Sequence, residues 1–411
     1  MLLTAVNAPV EATRFIDAIP PFPSETFDGQ GIVVCGGGIK YGACAYVLVR
    51  LLRYLGCDLP IEVWCLNDDE FDPSWIELVK PYDVECVNAA EVLKSHPHRK
   101  LGGWELKPYA ILHSRFREIL FLDADNVPVV DPSFLFNTPQ YTQTGTLFWP
   151  DPEDVQTAVT NSAWDVFDVP YCDCPDQESG QLLIDKSRCW SALNLCNYFN
   201  EHSNFYYQFV YGDKDTFRFA WQRMNQPICW PEKFASGEIP FVLLQHDFEG
   251  NVLFQHRYFH KWSFYGDNTS IPRFHHQEIC LQFLQKLRET WQPQHHLMRN
   301  ISRSDRESIN RLTGRRFIYE RFGHNRWEIQ LGENAMIEDG YNPSAYLWWI
   351  EDGSLALAGI NGKQKLLCSR NSGEVWEAVQ QHGLHKIKIQ VRPLENGPLQ
   401  SEATNEIMGV V

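Results

Sequence analysis

The sequence predicts an α/β protein with a mainly parallel central sheet, followed by a small β-rich C-terminal module. Three observations lead there. Short apolar runs bounded by turn signals alternate with helical stretches from residue 31 to residue 125. One of these runs, Ile119-Leu120-Phe121-Leu122, ends on two carboxylates one residue apart, Asp123 and Asp125. Beyond residue 317 the pattern changes to short alternating runs separated by Asp-Gly and Asn-Gly turns.

Residues 1–30 read as an irregular lead-in, since Pro20-Pro21-Phe22-Pro23 cannot hold a helix. Strands follow over 31–35, 61–66, 84–87 and 119–122, with helices over 41–55, 74–79 and 107–114 between them. Such alternation makes parallel neighbours covered on both faces. In the middle third, 145–149, 180–184 and 241–244 read as strands, and 190–200 and 215–224 as helices. Residues 274–315 carry helical signals with many charges. The domain organisation expected is therefore a lead-in over 1–30, one large domain over 31–316 with a helical end, and a β module over 317–411. Ile337-Glu338-Asp339-Gly340, Glu351-Asp352-Gly353 and Asn361-Gly362 mark the turns of that module.

Composition narrows the classes of partner. A net charge of −16 without a basic stripe argues against nucleic acid or an anionic membrane. Aromatics reach 13%, with 14 Trp, and indole faces suit the apolar face of a sugar ring. Twelve Cys are scattered, and only Cys172-Asp173-Cys174 is a tight pair. With Cys189 and Cys196 this makes no zinc pattern, so reduced thiols are expected. Met1 to Pro20 lacks a basic stretch leading into an apolar run, and no 18-residue apolar segment occurs. A soluble, cytoplasmic protein without a transmembrane segment is expected.

The acidic pair is the centre of the functional reading. In an extended strand, residues i and i+2 point the same way, so Asp123 and Asp125 can address one object. Two hard oxygen ligands at the lip of an α/β sheet suit Mn²⁺ or Mg²⁺, whose shell is commonly completed by substrate phosphates. That chemistry fits departure of a sugar from a nucleoside diphosphate. A turn or helix-start role is the structural alternative for the pair.

Other groups are placed to help. Gly36-Gly37-Gly38 could bring backbone N–H groups to a nucleotide, with Lys40 and Tyr41 next to phosphate and base; a plain strand-to-helix turn is the alternative. The stretch is neither the dinucleotide fingerprint nor a P-loop. Lys107, in the first turn of a helix, sits where the dipole disfavours a cation, which a ligand phosphate or hydroxyl would explain. Glu178 and Gln181 flank Gly180 at a strand entrance, and could orient a sugar. Of Asp213 and Asp215, one is expected to cap a helix and the other to meet sugar hydroxyls. Late in the chain, His256, His260, Lys261 and Trp262 cluster; a His there could complete the metal sphere and Lys261 could hold a diphosphate. His275-His276 and His295-His296 are expected at the surface.

In this order, Gly31-Ile32-Val33-Val34-Cys35-Gly36-Gly37, Leu59-Pro60-Ile61-Glu62-Val63-Trp64, Leu106-Lys107-Pro108-Tyr109-Ala110, Phe121-Leu122-Asp123-Ala124-Asp125-Asn126-Val127-Pro128, Phe148-Trp149-Pro150-Asp151, Glu178-Ser179-Gly180-Gln181 and Gly212-Asp213-Lys214-Asp215-Thr216-Phe217 resemble the fungal-type α-mannosyltransferase family. Its members are retaining enzymes, α-1,3-mannosyltransferases among them, and the likeness covers about residues 30–265. The resemblance implies a GT-A-type fold, a nucleoside-diphosphate sugar donor with GDP-mannose favoured, and a divalent metal on Asp123 and Asp125. The wider set of retaining enzymes adds a His ligand, for which His256 is the first choice and His260 the second. An Asp-Gln-Asp segment beneath the donor sugar in those enzymes has its nearest counterpart in Asp213-Lys214-Asp215, whose central Lys departs from the pattern. The acceptor would be a hydroxyl of a glycan, glycolipid or protein. Three alternatives stay open: a UDP-hexose transferase, a nucleotidyltransferase, and a noncatalytic carbohydrate-binding protein.

Overall fold

The computed structural model describes residues 2–394 apart from 68–69, 71, 100, 154–158, 240–241, 259, 265–267, 292–301, 333–336, 338–346, 359–365 and 383–384. Residue 241, His295-His296 and the turns expected at 338–340 and 361–362 lie outside the described residues. The chain divides into two compact units, Met1–Pro293 and Gln294–Val411.

The first unit is built on a sheet of β1 (Gln30–Cys35), β2 (Ile61–Cys65), β3 (Val84–Asn88), β4 (Glu118–Asp123), β6 (Thr146–Pro150) and β7 (Gln177–Asp185), in the order β3-β2-β1-β4-β7-β6. Strands β1 to β4 pair in parallel, and β7 runs antiparallel to both β4 and β6. Alternation of side chains gives two covered faces. Ile32, Val34, Leu120 and Leu122 pack with the helix Gly38–Tyr54 on one side. Val33, Ile119 and Phe121 pack on the other with the helices Leu106–His113, Lys186–Glu201 and Lys214–Arg223. The near-continuous apolar runs in the sequence follow from this double burial. Strand order reverses between β1 and β4, and ligands of open α/β sheets bind at the carboxyl ends of strands at such a point.

A second sheet, β5 (Asn126–Pro128), β8 (Ser236–Ile239), β9 (Val242–His246) and β10 (Val252–His256), has the order β5-β10-β9-β8. The chain leaves the first sheet at Asp123, turns through Ala124 and Asp125, and enters the second at Asn126. Antiparallel pairing then sets His256 opposite Asn126. Asp125 therefore lies in the turn between two sheets, not in an extended strand as the i, i+2 argument assumed. The corner, rather than the pleat, brings the two carboxylates together.

Two expectations change at the chain's margins. The lead-in contains a helix, Ala8–Asp17, with Ala8 and Ala12 buried and Phe15 stacked on Tyr198 at 4.5 Å. The proline run that was taken to forbid a helix follows it instead. In the second unit, a helix Arg303–Leu312 precedes a sheet of β11 (Arg316–Arg321), β12 (Asn325–Gln330), β13 (Leu347–Glu351), β14 (Ser354–Ala358), β15 (Leu366–Ser372), β16 (Val375–His382) and β17 (His385–Pro393). These run antiparallel in the order β12-β11-β17-β16-β15-β14-β13. The buried Asp305 carboxylate accepts from Asp352 N and Gly353 N, at the two-residue turn joining β13 to β14. Both turn residues have positive φ, as that hairpin class requires. The helix thus belongs with the β module, which places the division after Pro293 rather than at 316. The structure also pairs Cys172 with Cys174 in a disulfide, where reduced thiols were expected, and leaves the other ten Cys free. Among the described residues, no helix is long and apolar enough to cross a membrane.

Candidate active site

A cavity of about 440 Å³ opens where β1 and β4 end. Cys35 and Asp123 are register partners on those strands, and both line it. The start of β7 brings Glu178 and Ser179, the corner before β5 brings Asp125, and the end of β10 brings His256. Asp213 and Lys214 enter from the helix start at 213–214, and Trp104 and Lys107 from the start of the helix Leu106–His113.

Asp123, Asp125 and His256 offer ligand atoms within 4.8 Å of one another. His256 Nε2 lies 3.5 Å from Asp125 Oδ1 and 3.9 Å from Asp123 Oδ2, while Nδ1 is 3.0 Å from Glu178 Oε1. Burial opposes charge on this imidazole, yet Asp125 and Glu178 together hold its pKa up to about 10. Burial likewise opposes the charge on Asp125, but His256 and Lys261 outweigh it and hold that carboxyl well below its usual range. Lys261 forms an ion pair with Asp125. For Asp123, burial prevails over Lys107 and His256 and raises the pKa.

The donor set fits a hard divalent cation: two carboxylates and an imidazole nitrogen, with a carboxylate on the far nitrogen of the ring. That outer carboxylate fixes tautomer and orientation in metal sites generally. Glu178 occupies this place, behind the imidazole. Gly180 is required beside it, because a Cβ there would come 2.8 Å from His256 Nδ1 and 2.9 Å from Glu178 Oε1.

Lys107 has a different environment from the one the sequence suggested. Its Nζ donates to Ser179 O and Oγ, both at 2.9 Å, and sits 3.2 Å from Asp123 Oδ1 and 3.3 Å from Asp213 Oδ2. A cation at the helix start is thus explained by three groups of the protein itself. Asp213 stands at the N-cap position but makes no side-chain cap; its Oδ2 accepts from Ser179 Oγ at 3.1 Å and faces Lys107. Asp215 does not cap either. It is buried against Arg218 at 2.8 Å and accepts from Gln177 N at 3.3 Å. Lys214 pairs with Asp151, a carboxyl raised to about 6 by burial and by Glu178.

Four other expectations are corrected. Gln181 is fully buried outside the cavity lining, where its Oε1 accepts from Asn126 Nδ2 at 2.8 Å. It ties β7 to β5 and so holds the corner that carries Asp125; it cannot orient a sugar from there. Gly36 and Gly37 line the cavity, but Gly36 N donates to Trp64 O and Gly38 N to Glu70 O, so the N–H groups of Gly36 and Gly38 are not left for a phosphate. A Cβ at Gly36 or Gly37 would meet Ala45 Cβ or Glu70 Cβ at 2.8 Å. Tyr41 lines the cavity and Lys40 does not; the Lys40 ammonium lies 5.3 Å from the Tyr41 ring. His260 contributes its carbonyl to Arg257 Nε at 2.7 Å and is not in the carboxylate–imidazole cluster.

Residues 29–174 and 171–236 match the family model described as "Mannosyltransferase putative", which spans just over half of the chain. The chain belongs to that mannosyltransferase family. It is 30% identical over 286 residues to the α-1,2-mannosyltransferase MNN5 of Saccharomyces cerevisiae strain YJM789, covering 55% of this chain and 48% of that protein. The α-1,2-mannosyltransferase MNN2 of Saccharomyces cerevisiae is 29% identical over 240 residues, covering 47% and 40%. MNN24 of Candida albicans, also an α-1,2-mannosyltransferase, is 30% identical over 263 residues, covering 54% and 37%. This chain spans less than half the length of each. Among solved structures, the galactosyltransferase LgtC is similar at a TM-score of 0.41 and 11% identity, over 68% of this chain and 99% of that one. That score is too low to carry an argument about fold or reaction.

Proposed function

We propose that the protein is a GT-A-type, metal-dependent retaining mannosyltransferase that moves mannose from GDP-mannose to a sugar hydroxyl, forming an α-1,2 bond. The observation that carries this reading is the gathering of Asp123, Asp125 and His256 at the switch point of the sheet, in a chain of the mannosyltransferase family. Mn²⁺ or Mg²⁺ held there would neutralise charge on the departing diphosphate.

The remaining steps belong to side chains. With an ion bound, Glu178 would hold the Nδ1–H of His256 and leave Nε2 free to face the carboxylates and the ion. Lys261, which shares Asp125 with that site, is within reach to take a phosphate oxygen when the carboxylate is otherwise engaged. Lys107 pins both Asp123 and Asp213, so the metal-facing wall and the sugar-facing wall move as one body. Asp213 accepts hydroxyls of the donor sugar and stabilises the positive charge developing on it. An α-linked donor giving an α-linked product keeps its configuration. A leaving diphosphate oxygen on the same face can take the acceptor's proton, so no strong enzymic nucleophile is needed.

The test is release of nucleoside diphosphate from GDP-mannose and a panel of UDP-sugars, with Mn²⁺ and with EDTA. Metal-dependent release of GDP from GDP-mannose is expected. Metal-dependent release of UDP instead would reassign the donor. Release of pyrophosphate from a nucleoside triphosphate and a sugar 1-phosphate, offered in a parallel assay, would point to a nucleotidyltransferase, and silence on every donor to a binding protein.

A further inference from the structure

The cavity has a rim that the donor chemistry does not use. Trp104 and Tyr211 line it with half or more of their surface exposed, their ring centroids 5.6 Å apart. Large rings left open to water in this way need an explanation, and mobility is not one for Trp104. Tyr207 backs its indole at 6.2 Å, and a Cβ at Gly212 would come 2.9 Å from that ring. The next residue, Glu105, accepts from Ser203 Oγ at 2.6 Å, and the Trp104 carbonyl takes Lys107 N. The platform is pre-formed.

Its neighbours say what it takes. Gly212, against the indole, adjoins Asp213, so an acceptor of hydroxyl protons stands next to an apolar face. The ammonium groups near Asp213, Lys107 and Lys214, are taken up by Asp123, Asp213 and Asp151. Lys40 and Lys261 lie beside Tyr41, at 5.3 and 5.9 Å from its ring, with Lys261 on Asp125. An anionic nucleotide is drawn to that flank. An uncharged ring with one C–H face and a fringe of hydroxyls fits the flank of Trp104.

We infer that Trp104 and Tyr211 form the acceptor subsite, stacking on a terminal hexopyranose and presenting its hydroxyl to the donor sugar over Asp213. This rests on the transferase reading above for the word acceptor, though not for the sugar affinity itself.

Trp104→Ala, Tyr211→Ala and Trp104→Phe separate the possibilities, with α-mannobiose as acceptor and GDP-mannose as donor. The acceptor KM should rise about tenfold in Trp104→Ala, and less in Tyr211→Ala, the size expected for lost ring stacking. The donor KM should stay within about twofold, and Trp104→Phe should recover most of the loss. A raised donor KM with the acceptor KM unchanged would overturn the inference, and so would acceptor KM values untouched by any of the three changes. Calorimetric titration of α-mannobiose with GDP and Mn²⁺ present needs no turnover. Binding that weakens in Trp104→Ala supports the subsite even if GDP-mannose proves the wrong donor. Binding equal in both proteins, or absent from the unaltered one, contradicts it.

Discussion

At the end of β4 the cavity wall is made of buried charges that neutralise one another, whereas the rim around Trp104 and Tyr211 is made of half-exposed rings held by packing. The two regions obey different energetics. Asp123, Asp125, Glu178 and Asp213 could not share so small a volume without Lys107, Lys261 and His256 between them, since each buried ion needs a partner. A change there alters every neighbour's charge state. The rim has no such coupling, and a ring can be removed from it with little consequence beyond the contact it makes. On the proposed function, the wall sets whether chemistry occurs, and the rim which acceptor arrives.

The largest effect should come from breaking the wall at its centre. Asp125→Asn keeps the shape and removes one ligand charge. Transfer should fall about a thousandfold or more, the consequence of losing several kcal/mol of charge stabilisation on the leaving group. The fold should tolerate it: Lys261 is one-fifth exposed and His256 can lose its proton, so neither is left as a trapped charge. Retained, metal-dependent transfer would remove Asp125 from the site. A smaller effect should follow from Glu178→Gln, which leaves the ligands in place and loosens the ring behind them. Mn²⁺ affinity should drop by about 10- to 100-fold. An unchanged affinity would mean that Glu178 touches substrate instead.

The smallest effect on transfer sharpens the comparison from outside the cavity. His113, at the end of the helix that begins at Leu106, packs against Tyr109 and His96 at 4.4 and 4.5 Å. Burial, then His96, Lys186 and His98, depress its pKa from 6.5 to about 3. The unfolded chain therefore binds this proton more readily than the folded one between those values. Stability contributed by the neutral ring is present above pH 6.5 and is lost as the pH falls toward 3. His113→Phe should flatten the acid limb of the unfolding curve by up to about 5 kcal/mol across that window. The same limb in both proteins would contradict the burial argument. Transfer at neutral pH should not respond, which separates this buried group from the wall.

Much of this was legible in the sequence, for a physical reason. Strands buried on both faces announce themselves as apolar runs, and helices between them by their period, so β1 to β4 and β7 were readable to within a few residues. Asp123 and Asp125 were nameable because metal chemistry restricts residue types, and the choice of His256 came from the family resemblance. The corner was not legible. Asn126 to Pro128 was not read as a strand, yet its pairing with Val252–His256 brings His256 to the corner, and a three-residue segment carries no periodicity. Gln181 and Lys107 were misread because a polar residue near a site faces either the ligand or the scaffold. Only the partners decide that, and the partners, Asn126 for one and Ser179, Asp123 and Asp213 for the other, lie far off in the chain. Trp104 and Tyr211 gave no signal among 14 Trp and 16 Tyr, since half-exposure is a property of the fold. The N-terminal helix was missed because prolines were taken to exclude what they merely follow.

The central claim is that one divalent ion is held by Asp123, Asp125 and His256. Titrating Mn²⁺ in the presence of GDP into the unaltered protein, His256→Ala and His260→Ala tests it most directly. The account predicts one site, lost or greatly weakened in His256→Ala and unchanged in His260→Ala. Equal Mn²⁺ binding by all three proteins would contradict it.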